Sequence, residues 1–151
     1  MKVETKAYGS IEVDERQCIR FPSGLYGFDG LADYILMDAQ QRPFYWLQSL
    51  DVREVAFVVM DPHLIRPDYD PKLDPEDLES LGLKGQEGSD VILQLAIVTV
   101  PEDRRGMTVN LQGPLLINKD RREGRQCISR DERWGVRHNI LDEMAAGKNA
   151  C

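Results

Sequence analysis

Apolar residues in this chain come in short bursts, each cut off within a few positions by proline, glycine or aspartate. That punctuation constrains the fold more than any other feature. Val55–Met60 is an unbroken apolar run stopped by Asp61-Pro62. Tyr34–Met37, Phe44–Leu50 and Val91–Val100 are further bursts with turn residues on both sides. Runs of this length suit strands rather than helices. In Phe44-Tyr45-Trp46-Leu47 apolar side chains occupy both parities, so both faces of that strand are expected to be covered, as with Val55–Met60. Val3, Thr5 and Ala7 alternate with charged neighbours, Gly9-Ser10 supplies a turn, and Ile11, Val13 and Cys18–Phe21 resume the alternation. Towards the C-terminus Met107–Leu111, Leu115–Ile117 and Gln126–Ser129 read as strands. Pro114 puts a bulge or kink between the first two, and Asp120–Gly124 reads as a charged hairpin loop.

Helical signals are few. A helical turn is expected over Asp29–Tyr34. Prolines at 62, 67 and 71 leave no regular element in that stretch. Asp74-Pro75-Glu76-Asp77 then carries an N-cap, a proline at the first helical position and acids where the helix dipole favours them, with Leu78, Leu81 and Leu83 as the apolar face and Gly82 and Gly85 as the stop. Asp131 could cap a terminal helix carrying Ile140, Leu141 and Met144, and residues 146–151 should fray. The sum is roughly eight to ten strands spaced about 8–12 residues apart: a mainly β, small antiparallel β-barrel-like single domain spanning residues 1–151, with one or two short helices. At 151 residues it can bury a sufficient core.

Charged residues at Lys2, Glu4 and Lys6 predict no secretory leader, and no apolar run approaches the ~20 residues of a membrane span. Three cysteines (Cys18, Cys127, Cys151) without a Cys-x-x-Cys pair predict neither a disulfide framework nor a zinc site, and place the chain in the cytoplasm. Net charge is −7. It is unevenly spread: residues 61–90 hold nine acids against three bases, and residues 101–138 hold nine bases against six acids. Nucleotide-binding loops and the nucleophile-elbow pattern are lacking, and His63 and His138 stand apart, so no cofactor, metal or catalytic residue is expected.

Five stretches, in order, resemble the FliW family: Phe21-Pro22-Ser23-Gly24-Leu25-Tyr26-Gly27-Phe28, Phe44–Asp51, Val55–Pro62, Pro67-Asp68-Tyr69-Asp70, and Thr108–Asn118 with Asn110, Gln112, Pro114 and Asn118. The resemblance covers residues 1 to about 140, and the tail after His138 reads as longer than the family pattern. It implies a β-barrel-like flagellar assembly factor that binds cytoplasmic flagellin and, in exchange, the translational regulator CsrA. By holding CsrA it would relieve repression of flagellin messenger RNA. The lack of a long apolar run predicts no membrane contact, the net negative charge predicts no direct nucleic-acid contact, and the chain alone is expected as a monomer.

With that partner, the acidic middle reads as a docking face: Asp68, Asp70, Glu76, Asp77 and Glu79 exposed, with Tyr69 as the aromatic anchor. Phe21, Pro22, Gly24, Gly27 and Phe28 read as a structural plug at a barrel end. Asn110 and Asn118, with Gln112, read as amides pinning the bend at Pro114. Trp46 is expected in the core. The rival reading is direct RNA binding through the basic segment Arg121–Arg133 (Arg121, Arg122, Arg125, Arg130, Arg133), but interleaved Glu123, Asp131 and Glu132 weaken its field.

Overall fold

The computed structural model describes residues 1–102 and 106–149. Eleven strands and two α-helices follow in the order β1 (Lys2–Thr5), β2 (Gly9–Glu12), β3 (Cys18–Arg20), β4 (Asp33–Asp38), β5 (Tyr45–Ser49), β6 (Ala56–Met60), α1 (Pro75–Ser80), β7 (Ile92–Thr99), β8 (Thr108–Val109), β9 (Leu115–Asn118), β10 (Glu123–Gln126), β11 (His138–Asn139) and α2 (Ile140–Asn149).

Seven of the strands close a barrel in the order β3-β4-β5-β6-β7-β9-β10. Its neighbours are antiparallel except where β10 returns beside β3, a parallel contact at the single register pair Glu123↔Arg20. The long β7 makes this closure possible. Ile92–Leu95 pair with β9, while Val98 and Thr99 pair with β8, which in turn carries β11. Mainly β architecture with a few short helices is therefore what the chain adopts.

Continuous apolar strands make sense in this arrangement because both barrel faces are covered. Leu47, Val59, Leu95, Leu115 and Ile117 fill the interior with Phe21, Leu25 and Tyr34. On the outside, the β1–β2 hairpin covers Ile35 and Met37, and Trp46 packs half-buried beneath it. The segment around α1 covers Leu116 and Ile92 with Leu81 and Leu83. A third outer layer sets Trp134, Tyr69, Ile65 and Ile140 against Met60, Ala96 and Val98.

Several expectations need correction. Residues 29–30 form a turn, residues 31–32 are irregular, and Tyr34 already belongs to β4, so no helix forms there. Phe28 N–H donates to Leu25 O and Leu31 N–H to Phe28 O, so this segment closes on itself through single turns. The proline stretch holds one 3₁₀ turn, Pro62–Leu64, because Asp61 caps it and Pro62 sits at its first position. The last barrel strand is Glu123–Gln126, three residues earlier than Gln126–Ser129, and the preceding loop is correspondingly shorter than Asp120–Gly124. Gly124 tolerates strand geometry because Phe21 lies over it: a Cβ there would sit 2.5 Å from Phe21 Cε1. Regular pairing around 107–111 is confined to Thr108–Val109. The terminal helix begins at Ile140. Asn139 Oδ1, not Asp131, accepts from its first turn at Asp142 N–H, and the helix continues to Asn149 through most of the stretch expected to fray. Asp131 instead accepts from Arg133 N–H in a local turn. Cys151 lies outside the described residues.

Candidate protein-binding face

The proline loop, residues 61–73, has no regular element after its Pro62–Leu64 turn, and a distant segment binds the backbone carbonyls there. Trp134 Nε1 donates to Asp70 O at 3.2 Å, Ser129 Oγ donates to Pro71 O, and Arg130 N–H donates to Lys72 O at 3.0 Å. Successive carbonyls of residues 70–72 are thus bound by residues 129–134. Side chains reinforce the junction. Arg66 pairs with Asp68 and with Glu143 of α2, both at 2.7 Å, and the guanidinium carbons of Arg66 and Arg133 lie 5.0 and 4.6 Å from the Trp134 ring centroid.

Tyr69 faces into this junction. It is 3% exposed, its hydroxyl donates to Leu111 O at 2.6 Å, and its ring meets Trp134 edge-on at 5.0 Å. It is therefore a core residue, and the expectation that it anchors a surface partner is corrected. Burial pushes its phenol well above the usual range.

Helix α1 starts and stops as its sequence dictates. Asp74 caps Glu76 N–H with Pro75 at the first position. At the other end Gly82, at φ +68°, lets Leu83 N–H reach Leu78 O, and Asn118 Nδ2 donates to the freed Leu81 carbonyl. Asn118 Oδ1 meanwhile accepts from Asp120 and Arg121 N–H, and Asn110 Oδ1 accepts from Gln112 and Gly113 N–H ahead of Pro114. Both amides serve the chain's own backbone.

The five acids named from sequence do not form one free face. Asp68 is held by Arg66, whose hydrogen bonds lower its carboxyl to about 2. Asp70 bonds Lys72 Nζ at 2.6 Å and is likewise lowered. Asp77 bonds Arg125 Nε at 2.8 Å, and the cap Asp74 bonds Arg130 at 2.8 Å. Glu76 and Glu79 remain exposed on α1. Glu87 and Asp90, just beyond, are exposed too; they are not among the five acids named above, and their one signal in the sequence is the acid count over residues 61–90. Among the described residues no cation lies within salt-bridge distance of Glu76, Glu79, Glu87 or Asp90.

The same pairings dismantle the basic stripe. Arg125 and Arg130 are committed to Asp77 and Asp74, Arg133 to Asp131, Arg122 Nη1 to Glu15 O, and the Arg121 guanidinium lies against Gly82. Phe21 and Leu25 of the glycine-rich turn are buried in the barrel, while Phe28 sits edge-on to Phe57 at 5.1 Å and stays 36% exposed, and Tyr26 is exposed. Gly24 has φ +69°, and a Cβ on it would stand 2.7 Å from Asp29 Cα; Gly27 is also left-handed, at φ +87°, and Pro22 opens the turn on the surface. Two open grooves accompany these surfaces. One, of about 460 Å³, runs past Ile19, Tyr34, Asp51 and Arg122 at the β3–β10 seam; the other, of about 300 Å³, lies between the proline loop and α1.

A small closed barrel, sheathed on its outside and presenting exposed carboxylates beside an ion-paired loop, is the class of protein these features define. The FliW protein family model matches residues 2–140. Over 150 residues the chain is 41% identical to the flagellar assembly factor FliW of Treponema denticola, covering 99% of this chain and 100% of that one. It is 41% identical over 144 residues to the factor of Leptospira biflexa, with 94% and 92% covered. A crystal structure of the flagellar assembly factor FliW superposes with a TM-score of 0.80 at 31% identity, covering 93% of this chain and 96% of that one. The chain belongs to the FliW family of flagellar assembly factors. The alignment with the Treponema denticola factor takes in nearly all of the tail after His138, whereas the family model ends at residue 140.

Proposed function

We propose that this chain acts in the cytoplasm as a partner-switching protein, binding flagellin and, in exchange, CsrA, and making or breaking no covalent bond. Holding CsrA relieves its repression of flagellin messenger RNA, and accumulating flagellin releases it. The reading is supported by family membership over nearly the whole chain together with the unpaired carboxylates Glu76, Glu79, Glu87 and Asp90. A regulator that grips RNA must present Lys and Arg, and unpaired acids attract such a surface and speed encounter. Exchange requires a coupling free energy: each partner weakens the other's binding by the same factor.

Calorimetric titration with purified flagellin and with CsrA, followed by competition, tests this. The expected result is binding of each and a loss of apparent affinity for either when the other is present. Binding to neither, or binding of each indifferent to the other, overturns it. Direct RNA binding is the poorer reading, because Glu123, Asp131 and Glu132 interleave with the arginines, and Asp77, Asp74 and Asp131 stand beside Arg125, Arg130 and Arg133 and offset their charge. It predicts a salt-sensitive electrophoretic shift on RNA without CsrA.

A further inference from the structure

The 300 Å³ groove has a distinctive make-up. Its lining includes the aliphatic side chains of Leu73, Leu78 and Ile92, half-buried and drawn from the segment before α1, α1 itself and the outer face of β7, beside the polar His63 and Gln94. Two carboxylates also line it, Asp70 and Glu87. Glu87 has no cation within salt-bridge distance among the described residues, whereas Asp70 already holds one, the Lys72 ammonium at 2.6 Å. That pair is loosely kept, with the two side chains 63% and 61% exposed, and Lys72 supplies it from a left-handed backbone position, φ 53°. Exposed pairs of this kind contribute little and exchange readily. At this volume, the low end of the usual ligand-pocket range of about 300–1,000 Å³, the groove suits one long side chain rather than a whole small molecule.

Aliphatic lining and two carboxylates together select a side chain with an apolar stem and a cationic head. Arginine matches better than lysine, because its planar fork addresses two carboxylates at once and sheds water more easily. We propose that this groove is a docking pocket for an arginine side chain of a basic partner segment, with Lys72 occupying Asp70 until the incoming guanidinium displaces it. The inference rests on the partner reading above and gives it an address: the stem lies on Leu73, Leu78 and Ile92, and the head bridges Asp70 and Glu87.

The test uses the full chain with CsrA as basic partner and N-acetyl-arginine amide as an isolated probe. Lys72→Asn removes the internal competitor while keeping a residue that accepts left-handed backbone. It is expected to tighten CsrA binding about threefold, and Glu87→Gln to weaken it about fivefold, both within the reach of exposed charge pairs. Unchanged thermal melting of both variants shows that the fold is kept. The arginine probe should shift the amide resonances of Leu73, Leu78 and Ile92 in the wild-type chain, and N-acetyl-norleucine amide should not. If CsrA binds but neither variant alters its affinity and the probe leaves those resonances unmoved, the pocket is overturned and the partner reading stands. Should the probe bind there while CsrA does not bind at all, the partner reading falls and the pocket survives. Equal shifts from norleucine amide overturn the cationic specificity.

Discussion

Two buried regions of this molecule are held in different ways. Inside the barrel Leu47, Val59, Leu95, Leu115 and Ile117 meet one another and the rings of Phe21 and Tyr34, and among the described residues no charged side chain is buried. At the outer junction, where the proline loop meets residues 129–143, Tyr69, Trp134 and Ile140 are buried as deeply, but among guanidiniums, a carboxylate and backbone carbonyls each bound to a named donor. Burial alone fixes the first region, so it tolerates salt and depends on shape. The second joins segments about 60–75 residues apart in sequence through polar bonds laid over an apolar patch, so both its stability and the charge it shows to solvent depend on those bonds. The exposed carboxylates Glu76, Glu79, Glu87 and Asp90 lie outside the barrel too, on and after α1, next to the segment that forms the second region, where charge can be redistributed without disturbing the barrel.

The largest expected effect breaks the comparison if it fails. Trp134→Ala should lower unfolding free energy by about 3–5 kcal/mol in urea titration, as for other buried aromatic truncations. That is comparable to Leu47→Ala within the barrel, at about 2–5 kcal/mol. A Trp134 effect below about 1 kcal/mol would mean that the outer layer is an ornament on an independently stable barrel. The two variants should also differ in kind. Losing Trp134 frees Asp70 O and leaves Arg66 and Arg133 without the ring they cover, so protease sensitivity should appear first in the proline loop.

Two tyrosines sharpen the contrast at smaller scale. Tyr69 Oη donates to Leu111 O, so Tyr69→Phe should cost about 1–3 kcal/mol, because the carbonyl left behind is buried. Tyr34 is fully buried in the barrel, and its hydroxyl meets no hydrogen-bond partner among the described residues. Tyr34→Phe should therefore be neutral or stabilising. Alkaline titration gives an independent reading. Burial raises the Tyr34 phenol from 10.0 to about 12. Between those values the unfolded chain gives up the proton while the folded chain keeps it. Unfolding then releases a proton, and stability falls with rising pH by about 1.4 kcal/mol per unit for this group. Tyr34→Phe should remove that increment of slope and leave the rest.

How far the sequence could be read follows the same division. Phe44–Leu47 and Val55–Met60 announced strands covered on both faces because apolar side chains sit on both parities, and Asp74-Pro75 announced a helix start because cap chemistry is local. Nothing local reports that β10 returns beside β3 through one residue pair, or that β11 exists at two residues. Tyr69, flanked by Asp68 and Asp70, reads as exposed; its orientation is decided by Leu111 and Trp134, more than forty residues away. The ion pairing of Asp74 and Asp77 is hidden for the same reason, since Arg130 and Arg125 lie far along the chain. The sign of a charge is written in the sequence, but whether a carboxylate is free depends on which arginine the fold brings to it.

The smallest effect tests that last point directly. Asp77 and Arg125 meet at 2.8 Å with side chains 17% and 41% exposed, and a double-mutant cycle on them should give a coupling of about 0.2–1 kcal/mol. It should shrink as salt rises from about 0.1 to 1 M and the screening length falls from about 10 to 3 Å. Arg125→Ala alone then has two consequences of opposite sign. It removes that slight stabilisation, and it adds an unpaired carboxylate on α1 beside Glu76 and Glu79. Affinity for a basic partner should rise in calorimetry while unfolding free energy falls. If both fall together, the arginine contacts the partner itself, and the division between an inert barrel and a charge-tunable junction would have to be drawn on the other side of β10.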